Sequence, residues 1–328
     1  MVMQKVNIGI VGGAGYTGGE LLRVLLRHPN ANINFVHSTS NAGELVSKVH
    51  TDLLGDTDLV FAKEINASID VLFLCVGHGD AQKFMAANKI DSSIKIIDLS
   101  QDFRLANTAN IGDRHFVYGL PELQKEAIRS AHNIANPGCF ATAIQLGLLP
   151  LASKNLLKEV YTTGITGSTG AGQGLSSTSH FSWRANNIGA YKTLNHQHIK
   201  EIHQSLGVLQ GNQDAEVHFI PWRGDFTRGI FVSSVISSDL SIDALYELYN
   251  TFYKDHPFTH VSTTNIDLKQ VVNTNKCLIH IEKQGNKIAI HSVIDNLLKG
   301  AVGQAVQNMN LIFGLDETTG LKIKANYF

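Results

Sequence analysis

Cys139 is the residue from which chemistry reads most directly. It stands in Asn136-Pro137-Gly138-Cys139-Phe140-Ala141-Thr142, a Pro-Gly turn leading into an apolar stretch, 142–149, that reads as a buried helix. A cysteine at a helix start is a better nucleophile than a free one, because the unpaired N–H groups and the macrodipole stabilise its thiolate. The same N–H groups can hold an oxyanion. Cys75, in an apolar strand-like run, and Cys277, in a later one, fit the ordinary role of small buried hydrophobes. A thiolate enzyme needs a proton-handling partner, and Asn195-His196-Gln197-His198 offers two histidines. Residues two apart share a face on a strand and diverge on a helix, so one of the pair is expected to face the cysteine. No further Cys or His set of recognised spacing accompanies the pair, so no metal is expected. With 15 histidines in the chain, a chance pairing also stays open.

A second constellation is Gly12, Gly15 and Gly18, a G-x-x-G-x-x-G loop enclosing Tyr16 and Thr17. It lies between the apolar run 6–11 and a helix-like stretch, 20–27, that places Leu21, Leu22, Leu25 and Leu26 on one face. Glycines there allow a tight turn and close approach of backbone N–H groups to a pyrophosphate at the helix N-terminus. NAD enzymes place Asp or Glu at the end of the second strand for the ribose 2′-hydroxyl. Here that stretch is Val36-His37-Ser38-Thr39-Ser40-Asn41, without a carboxylate. Hydroxyl donors such as Ser38 and Ser40 suit a 2′-phosphate, so NADP is the expected coenzyme.

Positioning these groups takes more than one core. A chain of 328 residues exceeds the size at which a single core stops growing, so two domains are expected. Hydrophobic residues at 43% against 17% charged give a folded rather than a disordered chain. A net charge of -1 offers no electrostatic argument for nucleic acid or an anionic membrane. Three cysteines are no disulfide framework and favour a reducing compartment. Met1-Val2-Met3-Gln4-Lys5 lacks the apolar core of a secretory signal, and no apolar run reaches the ~20 residues of a membrane helix. The expectation is a soluble, cytoplasmic protein. Strand-like runs at 6–11, 33–38, 71–76 and 94–99 alternate with helices at 20–27 and 81–89, the pattern of an open parallel sheet. After Cys139 comes a Gly/Ser/Thr-rich stretch, 164–179, then strands at 229–237, 276–282 and 287–293 with a hairpin turn at Gln284-Gly285-Asn286. A long helical pattern, 295–313, closes the chain. The fold class is therefore α/β: a Rossmann-like nucleotide-binding domain plus an α+β catalytic and dimerisation domain with a largely antiparallel sheet.

Several further segments fall into one series with these. Asp98-Leu99-Ser100-Gln101-Asp102-Phe103-Arg104-Leu105 and Tyr118-Gly119-Leu120-Pro121-Glu122 precede Asn136-Pro137-Gly138-Cys139. Thr169-Gly170-Ala171-Gly172, His196-Gln197-His198 with Glu201-Ile202, Thr227-Arg228-Gly229-Ile230 and Asp295-Asn296-Leu297-Leu298-Lys299-Gly300-Ala301 follow. In order and spacing, over nearly the whole chain, they resemble the N-acetyl-gamma-glutamyl-phosphate reductase family, arginine-pathway relatives of the aspartate-semialdehyde dehydrogenases.

The resemblance implies that Cys139 forms a thioester from an acyl phosphate and that NADPH then delivers hydride to give a semialdehyde. His196 would be the acid/base, with His198 second in rank. It implies an NADP-binding domain of 1–138 and 297–328, to which the last helix returns, and a catalytic and oligomerisation domain of 139–296. A homodimer or homotetramer is expected. Gly170 and Asn296 would touch the coenzyme, with Lys299 a further candidate; Arg104, Arg228, His198 and Glu201 would touch the substrate. Arg184, in Ser182-Trp183-Arg184, is another candidate for an anion. Structural ion pairs at Arg104 and Arg228, and a helix start capped by Asp295, account for some of the same residues. Gln197 stands where the family has Arg, Lys200 where it has Pro, and Trp222 where it often has His. These departures bear on the substrate side. N-succinyl-glutamyl, aminoadipyl and aspartyl phosphates are the alternative substrates, and a non-catalytic NADP-binding protein is the alternative of another class.

Overall fold

The computed structural model describes residues 5–66, 68–211, 213 and 215–328. The opening Met1-Val2-Met3-Gln4, read above for a leader, lies outside the described residues. The chain forms two compact units: the first holds the chain up to Leu120, Gln124–Pro137 and Ala301–Lys322, and the second Pro121–Leu123, Gly138–Gly300 and Ile323–Phe328.

In the first unit, short apolar runs become central strands and amphipathic stretches become helices. In chain order these are β1 (Val6–Val11), α1 (Tyr16–Leu25), β2 (Ala31–His37), α2 (Val46–Val49), β3 (Phe61–Ala62), β4 (Val71–Leu74), α3 (Asp80–Ala87), β5 (Lys95–Asp98), β6 (Asn110–Ile111), β7 (Arg114–Tyr118), α4 (Pro121–Arg129, in this unit from Gln124) and β8 (Asn133–Ala135). The sheet order is β3-β2-β1-β4-β5-β8-β7-β6, parallel except where β6 meets β7. All four residues of β4 are buried, as a strand covered on both faces requires. Helix α1 begins at Tyr16, ahead of the leucine pattern, because Gly15 is its N-cap and Leu21, Leu22, Val24 and Leu25 fill only its later turns. Phe103 stacks on Phe116 at 4.2 Å within a core of Leu72, Leu74 and Ile96.

The second unit holds α5 (Cys139–Ala152), β9 (Glu159–Thr166), α6 (Phe181–Arg184), β10 (Gly189–Ala190), α7 (Ile199–Leu209), β11 (Glu216–Arg223), β12 (Ile230–Ser237), α8 (Ile242–Tyr253), β13 (Thr259–Ser262), β14 (Cys277–Gln284) and β15 (Lys287–Ile294). Its sheet runs β10-β11-β9-β12-β15-β14-β13. The β9–β11 and β13–β14 pairs are parallel and the others antiparallel. Gly285, at φ +58°, makes the two-residue turn between β14 and β15. Helix α5 is buried from Phe140 to Ala152 and packs against β12, β15, α7 and α8. Pro150 lies inside it and has no N–H to give the Leu146 carbonyl; the Tyr253 hydroxyl donates there instead.

The closing pattern is not one continuous helix. Leu298–Val302 is a π-turn, with Gly300 N–H donating to the Asp295 carbonyl at 2.9 Å, and α9 (Gly303–Ile312) follows. Within the first unit, Asn308 of α9 donates to the Gly119 carbonyl at 2.9 Å. A Cβ at Gly119 would sit 2.5 Å from the Asn308 amide, which accounts for that glycine.

Candidate active site

Cys139 is the first residue of α5, with Gly138 as N-cap in extended conformation. The first intrahelical bond runs from Thr142 N–H to the Gly138 carbonyl at 2.8 Å. The N–H groups of Cys139, Phe140 and Ala141 precede it and point out of the helix start. Gly138 N–H donates to Glu201 Oε2 at 3.0 Å, so a carboxylate in the first turn of α7 anchors the turn that presents the sulfur. A Cβ at Gly138 would collide with the His198 imidazole, and one at Gly300 would lie 2.7 Å from Cys139 Cβ. Both glycines are required for chain and ring to crowd against the cysteine. Cys139 is half-buried; Cys277 is fully buried and its thiol pKa is pushed far up by desolvation. Burial and Asp98 do the same to Cys75. Both fit the packing role expected of them.

His196 and His198 sit in a turn ahead of α7, neither strand nor helix, and the expected divergence of their rings does not occur. The imidazoles meet edge to face at 4.6 Å, and each covers a neighbour of Cys139: His196 lies 5.7 Å from the Phe140 ring and His198 lies on Gly138. His198 N–H donates to His196 Nδ1 at 3.2 Å, so Nδ1 is an acceptor and the neutral ring carries its proton on Nε2. Burial, with a smaller contribution from Lys192, lowers the His196 pKa to about 4. It is therefore neutral at physiological pH. Glu201, 3% exposed, has Oε1 3.9 Å from His198 Nε2.

Tyr191 is the residue that sequence reasoning did not single out. Its ring stands 5.9 Å from that of His196, and Cys139 is among the charges that raise its phenol pKa, after burial. No motif marks it; only the fold of 189–198 brings it to the His196 ring. Gln197 accepts from Lys192 Nζ at 2.8 Å, while Lys200 is exposed.

The remaining expected contacts of this unit interlock. Arg228 donates through Nε and Nη2 to Asp295 at 3.0 and 3.1 Å. Asp295, fully buried, also accepts from Leu297 and Leu298 N–H, capping the π-turn. Asn296 Oδ1 accepts from Gly229 N–H and its Nδ2 donates to Thr169 Oγ1 at 3.0 Å, tying the Thr169–Gly172 loop to the head of β12. Gly170 has room for a Cβ, with only ordinary contacts to Thr166 and Asn296 at 3.6 and 3.8 Å. No close packing inside the unit therefore requires a glycine at this position. Lys299 is fully buried and pairs with Glu122 at 2.8 Å, so its ammonium is committed there. Burial pushes the Glu122 carboxyl up, but Lys299 and His256 outweigh it and hold it low.

In the first unit, the Gly12–Gly18 loop has the geometry of a phosphate cradle. Gly12 has φ +79°, and a Cβ there would stand 2.5 Å from the Cys75 carbonyl oxygen. A Cβ at Gly18 would stand 2.5 Å from the Gly13 carbonyl oxygen. Gly15 has nothing nearer than 3.8 Å, so the space beside it is open. The first helical bond runs from Gly19 N–H to the Gly15 carbonyl, leaving the N–H groups of Tyr16, Thr17 and Gly18 ahead of it. His50 Nε2 donates to the Gly13 carbonyl at 2.7 Å and steadies the turn. Past β2, Ser38 and Ser40 hydroxyls lie 3.4 Å apart and share Asn41. These residues fit a dinucleotide. Arg104, in the same unit, is 5% exposed and donates to the carbonyls of Asn136 at 2.8 Å and Leu99 at 3.0 Å.

A dinucleotide-type cradle in one unit and a helix-start cysteine with paired histidines on a largely antiparallel sheet in the other define the semialdehyde dehydrogenase fold. Residues 7–131 match the semialdehyde dehydrogenase NAD binding domain and residues 139–296 its dimerisation domain. An aspartate semialdehyde dehydrogenase II from Vibrio cholerae superposes with a TM-score of 0.73 at 17% identity, over 95% of this chain and 99% of the other. One from Candida albicans, solved with NADP, superposes at 0.71 and 13%, over 94% and 99%. At such identities the likeness is one of fold. The sequence relatives are far nearer: N-acetyl-gamma-glutamyl-phosphate reductases of Flavobacterium johnsoniae and Bacteroides fragilis are 56% and 54% identical, each over 98% of this chain and 100% of the relative. The chain belongs to the N-acetyl-gamma-glutamyl-phosphate reductase family.

Proposed function

We propose that the protein reduces N-acetyl-gamma-glutamyl phosphate to N-acetyl-glutamate 5-semialdehyde in arginine biosynthesis, with NADPH and through a thioester on Cys139. The observation that carries this reading is Cys139 at the first position of α5, flanked by residues on which His196 and His198 are packed. The Cys139 sulfur attacks the acyl phosphate carbonyl carbon, and the helix-start N–H groups receive the charge that develops on its oxygen. As the carbonyl re-forms, the C–O bond to phosphate breaks and a thioester remains. The departing phosphate takes the one proton that the overall reaction consumes. NADPH, when bound, supplies the hydride. His196 Nε2–H serves the oxygen rather than the sulfur: a neutral imidazole donates a hydrogen bond to the oxyanion and loses none of its strength at neutral pH. This is the donor half of the acid/base role expected from the sequence. The carbonyl then re-forms once more, the C–S bond breaks, and the thiolate is regenerated beside the same N–H groups.

Gly12, Gly15, Tyr16, Thr17 and Gly18 would hold the pyrophosphate, and Gly170 and Asn296 the nicotinamide side. Ser38 and Ser40 favour NADP, since no carboxylate stands beside them to repel a 2′-phosphate. Arg104, Arg228, Glu201 and His198 act on the substrate side chiefly by holding backbone and neighbours in place. The chain works as a homodimer or homotetramer, joined through the face of the second sheet opposite α5, in the reducing environment of the cytoplasm. Its three cysteines are all free, and among the described residues no helix is long and apolar enough to cross a membrane.

The test is NADPH oxidation with N-acetyl-gamma-glutamyl phosphate and, in reverse, NADP reduction with the semialdehyde and phosphate. Activity in both directions, preference over NADH, and its loss in Cys139→Ser are expected. A Cys139→Ser protein as active as the parent would sink the thioester route. Running the N-succinyl, aminoadipyl and aspartyl substrates alongside selects the acyl group.

A further inference from the structure

Two guanidinium groups come together in the second unit, with Asp225 as a carboxylate near Arg184. Arg184 ends α6, and Arg223 is the last residue of β11. Arg184 Nη2 donates to the Gly224 carbonyl, but its Nε and Nη1 are closed to solvent and have no acceptor among the described residues. Desolvation and then the charge of Arg223 disfavour the Arg184 cation, and Asp225 offsets this in part. Asp225 Oδ2 is itself engaged by Asn186 N–H at 2.7 Å. Arg223 donates to Thr178 Oγ1 at 3.4 Å, lies over the Tyr191 ring at 4.8 Å and also approaches the Tyr191 hydroxyl. Buried N–H donors of a charged group are costly to leave unpaired, and guanidinium forks match carboxylates.

We infer that Arg184 and Arg223 form a subsite for a carboxylate that the acyl substrate carries away from its reacting carbonyl. This rests on the reading above of an N-acyl-glutamyl substrate. The phosphate cannot be the occupant, since it is bonded to the carbonyl that Cys139 attacks and must lie at the sulfur. Tyr191 stands between, with Arg223 over its ring at 4.8 Å and the His196 ring 5.9 Å from it. The pair is thus one aromatic ring removed from the chemistry, where the far end of the substrate falls. The carboxylate has two sources: the α-carboxylate of the glutamyl unit, or the free carboxylate of a dicarboxylic N-acyl group. Gripping it would orient the chain before attack and discriminate against acyl phosphates that lack it.

The experiment measures KM and kcat for Arg184→Met, Arg223→Met and Arg184→Lys with NADP and phosphate. The aldehydes are N-acetyl-glutamate 5-semialdehyde, its α-carboxamide and the N-succinyl analogue. Folding is verified by thermal melting. For an α-carboxylate occupant, the Met variants raise KM for the acetyl acid about ten-fold or more, keep kcat within about three-fold, and leave the carboxamide unaffected. Arg184→Lys restores part of the loss. A KM rise confined to the N-succinyl aldehyde assigns the acyl carboxylate and equally supports the subsite. Unchanged KM values, or equal losses on acid and carboxamide, overturn it. If the parent protein turns over none of the aldehydes, the functional reading fails, and calorimetry with N-acetyl-glutamate then decides the subsite separately. Binding lost in both Met variants supports it, and binding retained overturns it.

Discussion

The chemistry of single residues here is set by what each is denied. His196 is denied water, which lowers its pKa to about 4, and its Nδ1 is occupied by the His198 N–H, so it is a neutral Nε2 donor. Replacing it with Asn keeps a donor but loses ring and geometry. The expected outcome is a fall in kcat of ~10²- to 10³-fold with KM little changed, read in the NADPH assay. The same depressed pKa has a consequence for stability. Below the ordinary value of 6.5 an unfolded chain takes up a proton at His196 that the folded chain refuses until about pH 4. The native state therefore loses stability as pH falls through that window, and His28 and His260, both lowered first by burial, act in the same direction. Urea midpoints at pH 7 and pH 5 should differ less in His196→Asn than in the parent. An identical difference would mean the ring is not shielded as described.

At the scale of elements, polar groups inserted into apolar surroundings decide what a helix tolerates. Helix α5 carries Pro150 near its end, and the orphaned Leu146 carbonyl is served by Tyr253 from α8. Tyr253→Phe leaves that carbonyl buried and unpaired, so a loss of about 1–3 kcal/mol is expected in denaturant titration. Little change would show that the bond is replaced. The segments that mark the family prove largely to be braces of this kind. Asp98 accepts from Ser100, Asp102 accepts from Gly79 and Gln82 N–H, Gly119 makes room for Asn308, and Glu122 pairs with Lys299. Their spacing was legible as a pattern, but their roles were not, because each partner lies 20 to 190 or so residues away except the local Asp98–Ser100 contact. Strands β9 and β11 were also illegible. In β9 the inward residues after Val160 are Thr162, Gly164 and Thr166, and in β11 the outward Ile220 and Trp222 flank the inward Pro221, so neither run shows a clean apolar–polar alternation.

For the whole molecule, the open face of the second sheet is the feature that asks for a partner. Tyr161 is 55% exposed and Val235 39% on strands whose other face is buried under α5. With a dimerisation domain matched over 139–296, this face is expected to be covered by a second copy. Val235→Glu would place a charge there, and sedimentation should show a shift toward monomer at micromolar concentration. An unchanged sedimentation profile would move the interface elsewhere.

The local signals carried far in this protein. The glycine loop between a buried strand and a leucine-faced helix and the Gly-Asn hairpin depend on left-handed backbone at Gly12 and Gly285 that few residues allow, and the Pro-Gly-Cys turn stands directly before an apolar run, so the chain alone determined them. Tertiary structure decided what depends on distant groups. The neutrality and tautomer of His196, the commitment of Lys299 to Glu122, the place of Tyr191 beside His196 and the meeting of Arg184 with Arg223 all follow from burial and from partners brought together by folding. Charge state and hydrogen-bond role are properties of surroundings, and a sequence lists residues without their surroundings.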